Sequence, residues 1–449
     1  MVRWALVSGD GLPVSGLLTI FRNVVDRAAR VGLELPVTAD LGYSWRPDKG
    51  RFFPRGLPGA EYPGWLRVSD AVPVAEPDWA EQVVAARKAV AAGAVDADVA
   101  AAVERAAQAY ADYFFEWFTR EDVDWVVAIN LTLSDSVAVT TGLHRAADRR
   151  WGDGRAGGVL HWDHDLFGSC GIVEDGERYY PAEPNAHTPV PGSSPSDRWA
   201  VVSEALLKEA RGYPTELEPV LLTNVLPLVP EDGLAQRHHE FLRQRDIAGR
   251  PVVLVPVRVF AVKGVDIAVE VFAGLRDEHA RAGHPEPVLL VFGSLDEDPG
   301  YAEVVRAAVA RSGAAGSVHF LDGVPITSHR DHTGAWRLDE VDLLRLARAS
   351  RGAVLFTPGV TDVETVGLGP ALAALADLPC AVTPYDAFDD HFGPGYARVD
   401  VDPADPRPAG AELSRRMPGG ETANRALVAS RFPDGPWVDH LTAMAEGRA

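Results

Sequence analysis

Pro251-Val-Val-Leu-Val-Pro-Val-Arg258-Val-Phe-Ala-Val-Lys263-Gly264, followed by a helical pattern from Val265 to Leu275, is the stretch on which the reading of this chain turns. A short Val-rich run of this kind fits a strand buried on both faces, and the residues after Gly264 repeat their apolar character at helical spacing. Arg258 and Lys263 then stand at the carboxyl end of a parallel strand, the edge at which open α/β sheets take their ligands. A second stretch, Glu364-Thr-Val-Gly367-Leu368-Gly369-Pro370-Ala-Leu372, reads as a glycine-rich turn opening another helix. Pro370 suits a first helical turn, and backbone N–H groups at such a start attract anions. The two stretches supply fixed positive charge, amide donors and one carboxylate, a set suited to a diphosphate carrying a hydroxylated group. The plainer reading makes Arg258 and Lys263 a salt-bridged surface pair and Glu364 a carboxylate at a helix start.

Outward from this centre the pattern alternates. Strands are expected at 252–257, 287–292, 317–320, 353–356 and 380–383, with helices at 265–282, 300–312, 339–349 and 370–377. Such alternation predicts a parallel sheet with helices on both faces. Gly293 and Ser294 follow the second of these strands. In the amino-terminal half, strands are expected at Arg3 to Val7, Leu33 to Leu41, Val123 to Ile129, Gly158 to Leu160, Trp199 to Ser203 and Pro219 to Thr223. Gly16 lies in a glycine loop after the first strand, and reads equally as the border of a ligand site or as a plain turn. The Gly-, Pro- and aromatic-rich region 42–77, with Tyr43 and Trp45, is expected to form long loops. Its aromatic residues read as packing under a loop or as a wall for an acceptor.

His161-Trp-Asp163-His164-Asp165 is the chemically richest run of this half. His161, Asp163 and Asp165 alternate as metal ligands on one strand face would, but His164 points the other way and no further ligand group stands out. The expectation is no metal there, and none at His329, Asp331 and His332. Asp386, Asp389, Asp390 and His391 read as a polar surface loop.

Composition limits the function classes. A length of 449 residues favours two domains. With 43 basic and 64 acidic residues the formal charge is −21, a field that repels nucleic acid. Cys170 and Cys380 are the whole cysteine complement, which excludes a disulfide framework or a cysteine metal cage. The opening residues read as a strand rather than a signal peptide, and no uncharged run has membrane-spanning length. A soluble cytoplasmic protein without membrane insertion is the expectation; assembly into a homo-oligomer is left open.

Arg258 to Lys263-Gly264 with Ile267-Ala-Val-Glu270, and Glu364-Thr-Val-Gly367-Leu368 continued by Ala376-Asp-Leu-Pro379-Cys-Ala-Val382, resemble the donor motifs of retaining glycosyltransferases of family 4. The resemblance implies the GT-B fold, two Rossmann-like domains facing a central cleft. The implied division is an acceptor domain at 1–224, a nucleotide-sugar domain at 225–410 and a helical segment at 411–449 returning to the first domain. It implies catalytic parts for Arg258, Lys263 and Glu364, and for His164 after its strand. Gly16, Gly293, Ser294, Val366, Gly367, Leu368 and Gly369 would bind the donor, and Asp165, Tyr43 and Trp45 the acceptor. No cofactor or metal is implied, only a GDP- or UDP-linked sugar and a small acceptor. Leu372 occupies the place of the family's second motif Glu, which holds the ribose. The departures in motif and the aromatic first half point to natural-product assembly, as in antibiotic biosynthesis. An aminocyclitol or an ergothioneine-like betaine thiol would suit as acceptor. The rival readings are a nucleotide-sugar epimerase on the same fold and a non-catalytic sugar-nucleotide binding protein.

Overall fold

The computed structural model describes residues 2–8, 16–40, 62–69, 74, 79–132, 137–166, 173–174, 177–178, 184–192 and 196–447. Tyr43 and Trp45 lie outside the described residues. The chain divides into two compact units, Met1–Val225 with Asp434–Ala449, and Leu226–Pro433.

The first unit is built on a seven-stranded sheet: β1 (Trp4–Ser8), β2 (Val37–Asp40), β3 (Leu66–Ser69), β4 (Trp125–Ile129), β5 (Gly158–Asp163), β6 (Asp197–Val201) and β7 (Val220–Leu221). The spatial order is β3-β2-β1-β4-β5-β6-β7, with every neighbouring pair parallel. The first six positions follow the order of a Rossmann sheet, which reverses between β1 and β4. Its helices are α1 (Gly16–Arg30), α2 (Trp79–Ala91), α3 (Ala97–Arg120), α4 (Val137–Trp151) and α5 (Glu204–Ala210). Asp96 separates α2 from α3 by accepting a 2.8 Å bond from the Val99 N–H, the bond of an N-cap. Tyr110, Phe114, Trp117 and Phe118 on α3 pack with Val126, Ala128 and Leu143.

In this unit the sequence expectation is corrected at β3 and β5. Leu66–Ser69, inside the region expected to be loop, is an edge strand paired in register with β2. Its four-residue Leu-Arg-Val-Ser alternation is short enough to vanish among Pro, Gly and aromatic neighbours. β5 runs through His161 and Asp163 rather than ending at Leu160, and both side chains are buried. The Trp199 indole N–H donates to Asp163 Oδ2 at 2.8 Å, and burial pushes that carboxyl up to about 7.

The second unit has a six-stranded sheet: β8 (Val252–Val255), β9 (Val288–Val291), β10 (Val318–Phe320), β11 (Ala353–Phe356), β12 (Cys380–Val382) and β13 (Val399–Asp400). It is parallel throughout, in the order β10-β9-β8-β11-β12-β13, again the Rossmann order with its reversal between β8 and β11. Around it lie α6 (Gln236–Gln244), α7 (Val265–Ala282), α8 (Pro299–Ser312), α9 (Glu340–Ala349), α10 (Leu368–Leu375), α11 (Phe388–Phe392), α12 (Arg407–Arg416) and α13 (Ala423–Arg431). Val253, Val255, Leu289, Val291 and Leu355 from the strands meet Val265, Val269 and Phe272 of α7 in one core. An unbroken β-branched run is what a strand covered on both faces requires. His329–Arg330 and Trp336–Arg337 form a small antiparallel hairpin whose turn is held by Asp331 Oδ1.

After α13 the chain returns to the first unit as α14 (Gly435–Ala445). There the Trp437 ring packs 4.4 Å from Trp162, and its N–H donates to the Thr223 carbonyl at 2.9 Å. No described helix is long and apolar enough to cross a membrane.

Candidate active site

The switch point of the second unit, where β8 and β11 run side by side and their crossovers leave in opposite directions, gathers three of the expected residues. After β8 the chain makes a one-turn 3-10 helix, Ala261–Lys263, closed by Gly264 in the left-handed region at φ 59°. Gly264 also opens α7 and presses on the Thr357 carbonyl, so a side chain there would have no room. After β11, Thr357 Oγ1 donates to the Gly264 carbonyl at 2.9 Å, and the Gly359 N–H donates to the Val262 carbonyl at 3.0 Å. The two loops are therefore locked to each other by one side-chain and one backbone hydrogen bond, and the residues they carry are placed by that lock.

Lys263 Nζ lies 2.5 Å from Glu364 Oε1, with the carboxylate almost wholly buried and the ammonium about one-third exposed. Arg258 Nε lies 3.3 Å from Glu297 Oε1, and its guanidinium stacks 4.6 Å over Phe260. Glu297 Oε2 accepts the Val259 N–H at 2.6 Å, which fixes the carboxylate under the Arg258 loop. Two cations are thus matched by two carboxylates. The sequence reading missed Glu297; its only signal was an acidic Asp296-Glu297-Asp298 run close after Gly293-Ser294.

Gly293 and Ser294 act here as builders of that turn. A Cβ on Gly293 would come within 2.6 Å of the Val259 nitrogen and 2.8 Å of Arg258 Cα, so glycine lets the two loops approach. Ser294 Oγ accepts the Asp296 N–H at 3.2 Å, which turns the chain back toward Arg258.

Gly367 caps α10 at φ 70°, with Leu368 and Gly369 as the first helical residues. A Cβ on Gly367 would strike the Tyr385 hydroxyl, and one on Gly369 the Phe356 ring, so both glycines serve close packing. Val366 is buried, and its carbonyl accepts the Tyr385 hydroxyl at 2.8 Å. The Thr365 carbonyl lies 2.7 Å from His391 Nε2, which must carry the proton because a carbonyl only accepts. Burial lowers the His391 pKa and raises that of Tyr385, keeping both neutral beside the Glu364 loop. His391 was expected in a surface loop; it lies instead on α11 and supports this loop. Leu372 is 3% exposed within α10, an apolar side chain packed inward.

His164 and Asp165 lie in the first unit, directly after β5. Asn130, in a left-handed conformation at the end of β4, accepts the His164 N–H at 2.7 Å and donates to Asp165 Oδ2 at 3.0 Å. His164 Nε2 is 2.9 Å from Asn224 Oδ1, and the ring packs 4.5 Å from Trp162. Gly16 is the first residue of α1, and a Cβ there would meet no described atom.

No protein-family model and no curated protein matches the chain. Solved structures do. Sucrose-phosphate synthase from Thermosynechococcus elongatus superposes with TM-score 0.58 at 13% identity, covering 99% of this chain and 98% of that one. The UDP-forming α,α-trehalose-phosphate synthase of Burkholderia xenovorans gives 0.55 at 13% identity, with 99% of each chain covered. Anabaena HepE, solved in complex with UDP and glucose, gives 0.54 at 11% identity, covering 99% and 100%. The chain has the GT-B fold of these glycosyltransferases, two Rossmann-like units in one polypeptide.

Proposed function

We propose that the chain is a retaining glycosyltransferase related to family 4, moving a sugar from a nucleotide diphosphate sugar to a small polar acceptor in natural-product biosynthesis. The observation that carries the proposal is the convergence of Arg258, Lys263, Glu364 and the start of α10 at the switch point of the second unit. That place is where open parallel sheets bind ligands, and it holds the cations and amides a leaving diphosphate needs. Of the proteins similar in fold, one is by name a UDP-forming synthase and another is solved with UDP and glucose.

In this reading the ion pairs are exchanged on binding. The β-phosphate takes Lys263 Nζ from Glu364, and the released carboxylate accepts a hydroxyl of the transferred sugar. The outer nitrogens of Arg258, whose ion pair runs through Nε, present a bidentate edge to phosphate. The bond from anomeric carbon to β-phosphate oxygen breaks with its electron pair on the phosphate, while the acceptor forms the new bond and gives up a proton. Fixed donors are worth most as that charge develops. The proposed part of His164 rests on the resemblance alone. A cationic aminocyclitol or betaine thiol suits an acceptor for a chain of charge −21.

Leu372 favours a second reading, a sugar-nucleotide binding protein without turnover, because an inward-packed leucine supplies no carboxylate for ribose. One experiment separates the two. Thermal shift with UDP, GDP, ADP and TDP identifies the base, and mass spectrometry with that donor and an acceptor panel looks for a transferred sugar. Lys263→Ala is expected to lower product formation by at least about 100-fold with the fold intact. Full activity in this variant removes Lys263 from the mechanism; binding without any product favours the second reading.

A further inference from the structure

His144 on α4, His161 on β5 and Asp197 on β6 come together inside the first unit, and the sequence offers no motif that announces them. Register explains the meeting. Asp197 pairs with Val159 across β5 and β6, so His161, two residues on, shares its face of the sheet. α4 covers that face, and the His144 ring stands edge-on to the His161 ring at 5.1 Å. One ligand atom from each of the three side chains lies within 4.8 Å of the other two. His161 and Asp197 are fully buried.

Such groups are costly inside a protein unless something binds them. Both nitrogens of His161, both oxygens of Asp197 and Nε2 of His144 are buried without a hydrogen-bond partner among the described residues. Gly192 lines the same spot: a Cβ there would stand 3.0 Å from Asp197 Oδ2 and 3.7 Å from His144 Nδ1. Asp148, one helical turn beyond His144 and exposed, adds a negative field felt by both His144 and Asp197.

We propose that His144, His161 and Asp197 bind one divalent transition-metal ion, zinc foremost, which braces α4 against β5 and β6. Two imidazoles and one carboxylate form a ligand set that zinc takes in tetrahedral geometry, with a water completing the four. Bonds of about 2.0–2.2 Å put tetrahedral ligands about 3.4 Å apart. No separation exceeds 4.8 Å, so closure by at most about 1.4 Å suffices, within reach of ring and carboxylate rotation. The run His161-Trp-Asp163-His164-Asp165 concealed this set, because the partners of His161 come from a helix and a neighbouring strand. The ion would belong to the first unit, and its proposal does not rest on the transferase reading.

The test uses the full chain, stripped with a chelator and titrated with Zn2+ against a chromophoric competitor, with thermal unfolding recorded alongside. The native chain is expected to take one Zn2+ with a rise in Tm, and to give d–d absorption with Co2+ in its place. Asp197→Asn, which keeps the shape of the side chain, and His144→Gln, on the less buried ligand, are each expected to weaken binding by more than about 100-fold and to abolish the Tm rise. The proposal is overturned if the folded native chain takes up none of Zn2+, Co2+, Ni2+ or Mn2+. It is equally overturned if the folded variants bind as the native chain does. Should Asp197→Asn fail to fold, His144→Gln decides.

Discussion

Glu297 sets how much positive charge the proposed donor site displays, since it holds the Arg258 guanidinium and the Val259 N–H at once. Replacing it with Gln keeps an oxygen for Val259 but releases the charge. Glu297→Gln is therefore expected to raise pyrophosphate and nucleotide affinity about 3- to 10-fold, a gain limited by the exposure of Arg258. Titration calorimetry checks this, and an unchanged Kd would show that the pair survives binding. His391 makes a second prediction at this scale. Burial holds its folded pKa below the ordinary imidazole value of 6.5, so between those values the unfolded chain binds more protons than the folded one. Stability is then complete above about 6.5 and is lost as pH falls through that window. His391→Gln keeps an N–H for the Thr365 carbonyl and does not titrate. Relative to this variant the wild type should lose up to about 1.4 kcal/mol per pH unit below 6.5. Urea unfolding on either side of that pH, giving parallel dependences for the two proteins, would refute the assignment. That Arg258 and Lys263 follow a strand and Glu364 precedes a helix was legible in the sequence, because strand ends and helix starts have local signatures. Glu297, Tyr385 and His391 were not, since what they touch lies on other loops.

At the scale of elements, apolar runs and helical periodicity located most of the sheet strands, and the errors fall where burial and polarity part company. β8 ends at Val255, before the second proline, and α10 opens at Leu368, directly after Gly367 in the left-handed region that glycine adopts without strain. β5 was cut short in the reading because His161 and Asp163 look like loop residues, whereas burial inside a sheet is what they have. The same mismatch of polarity and burial joins α6 to α9. Asp342, on the first turn of α9, accepts from His238 Nε2 at 2.8 Å, from Ser328 Oγ at 2.6 Å and from Arg237 Nε and Nη2 at 2.5 and 2.8 Å. His238 Nδ1 meanwhile accepts the Ala235 N–H at 2.8 Å, so its proton is on Nε2. These bonds hold the Asp342 carboxyl far below the usual carboxylate range against the opposing effect of burial. Asp342→Asn leaves Arg237 without its counter-charge and is expected to cost about 3 kcal/mol. Chemical denaturation measures it; a loss below about 0.5 kcal/mol would mean the network is solvent-screened.

For the whole molecule, the sequence reading reached the fold class through alternation of strand and helix, but the spatial order of strands is a property of pairing between distant segments. Both sheets turn out to reverse at the same place, between their first and fourth strands. Charge is the other property that belongs to the chain entire. A formal charge of −21 surrounds a proposed anion site whose cations are already matched by carboxylates. A nucleotide approaching from solution meets repulsion out to about the Debye length, about 10 Å at 0.1 M salt and longer at lower salt. The attraction it finds begins only at contact, where Lys263, Arg258 and the α10 amides act over hydrogen-bond distances and salt screens partly buried groups less. Raising ionic strength therefore removes more of the repulsion than of the attraction. The association rate of a fluorescent analogue of the preferred nucleotide should rise by severalfold between about 0.01 and about 0.15 M salt, the reverse of what a basic, anion-steering protein shows. Stopped-flow mixing gives this slope directly. A rate that falls with salt would mean that the site projects a positive field of its own, and that one of the two carboxylates is turned away before the ligand arrives.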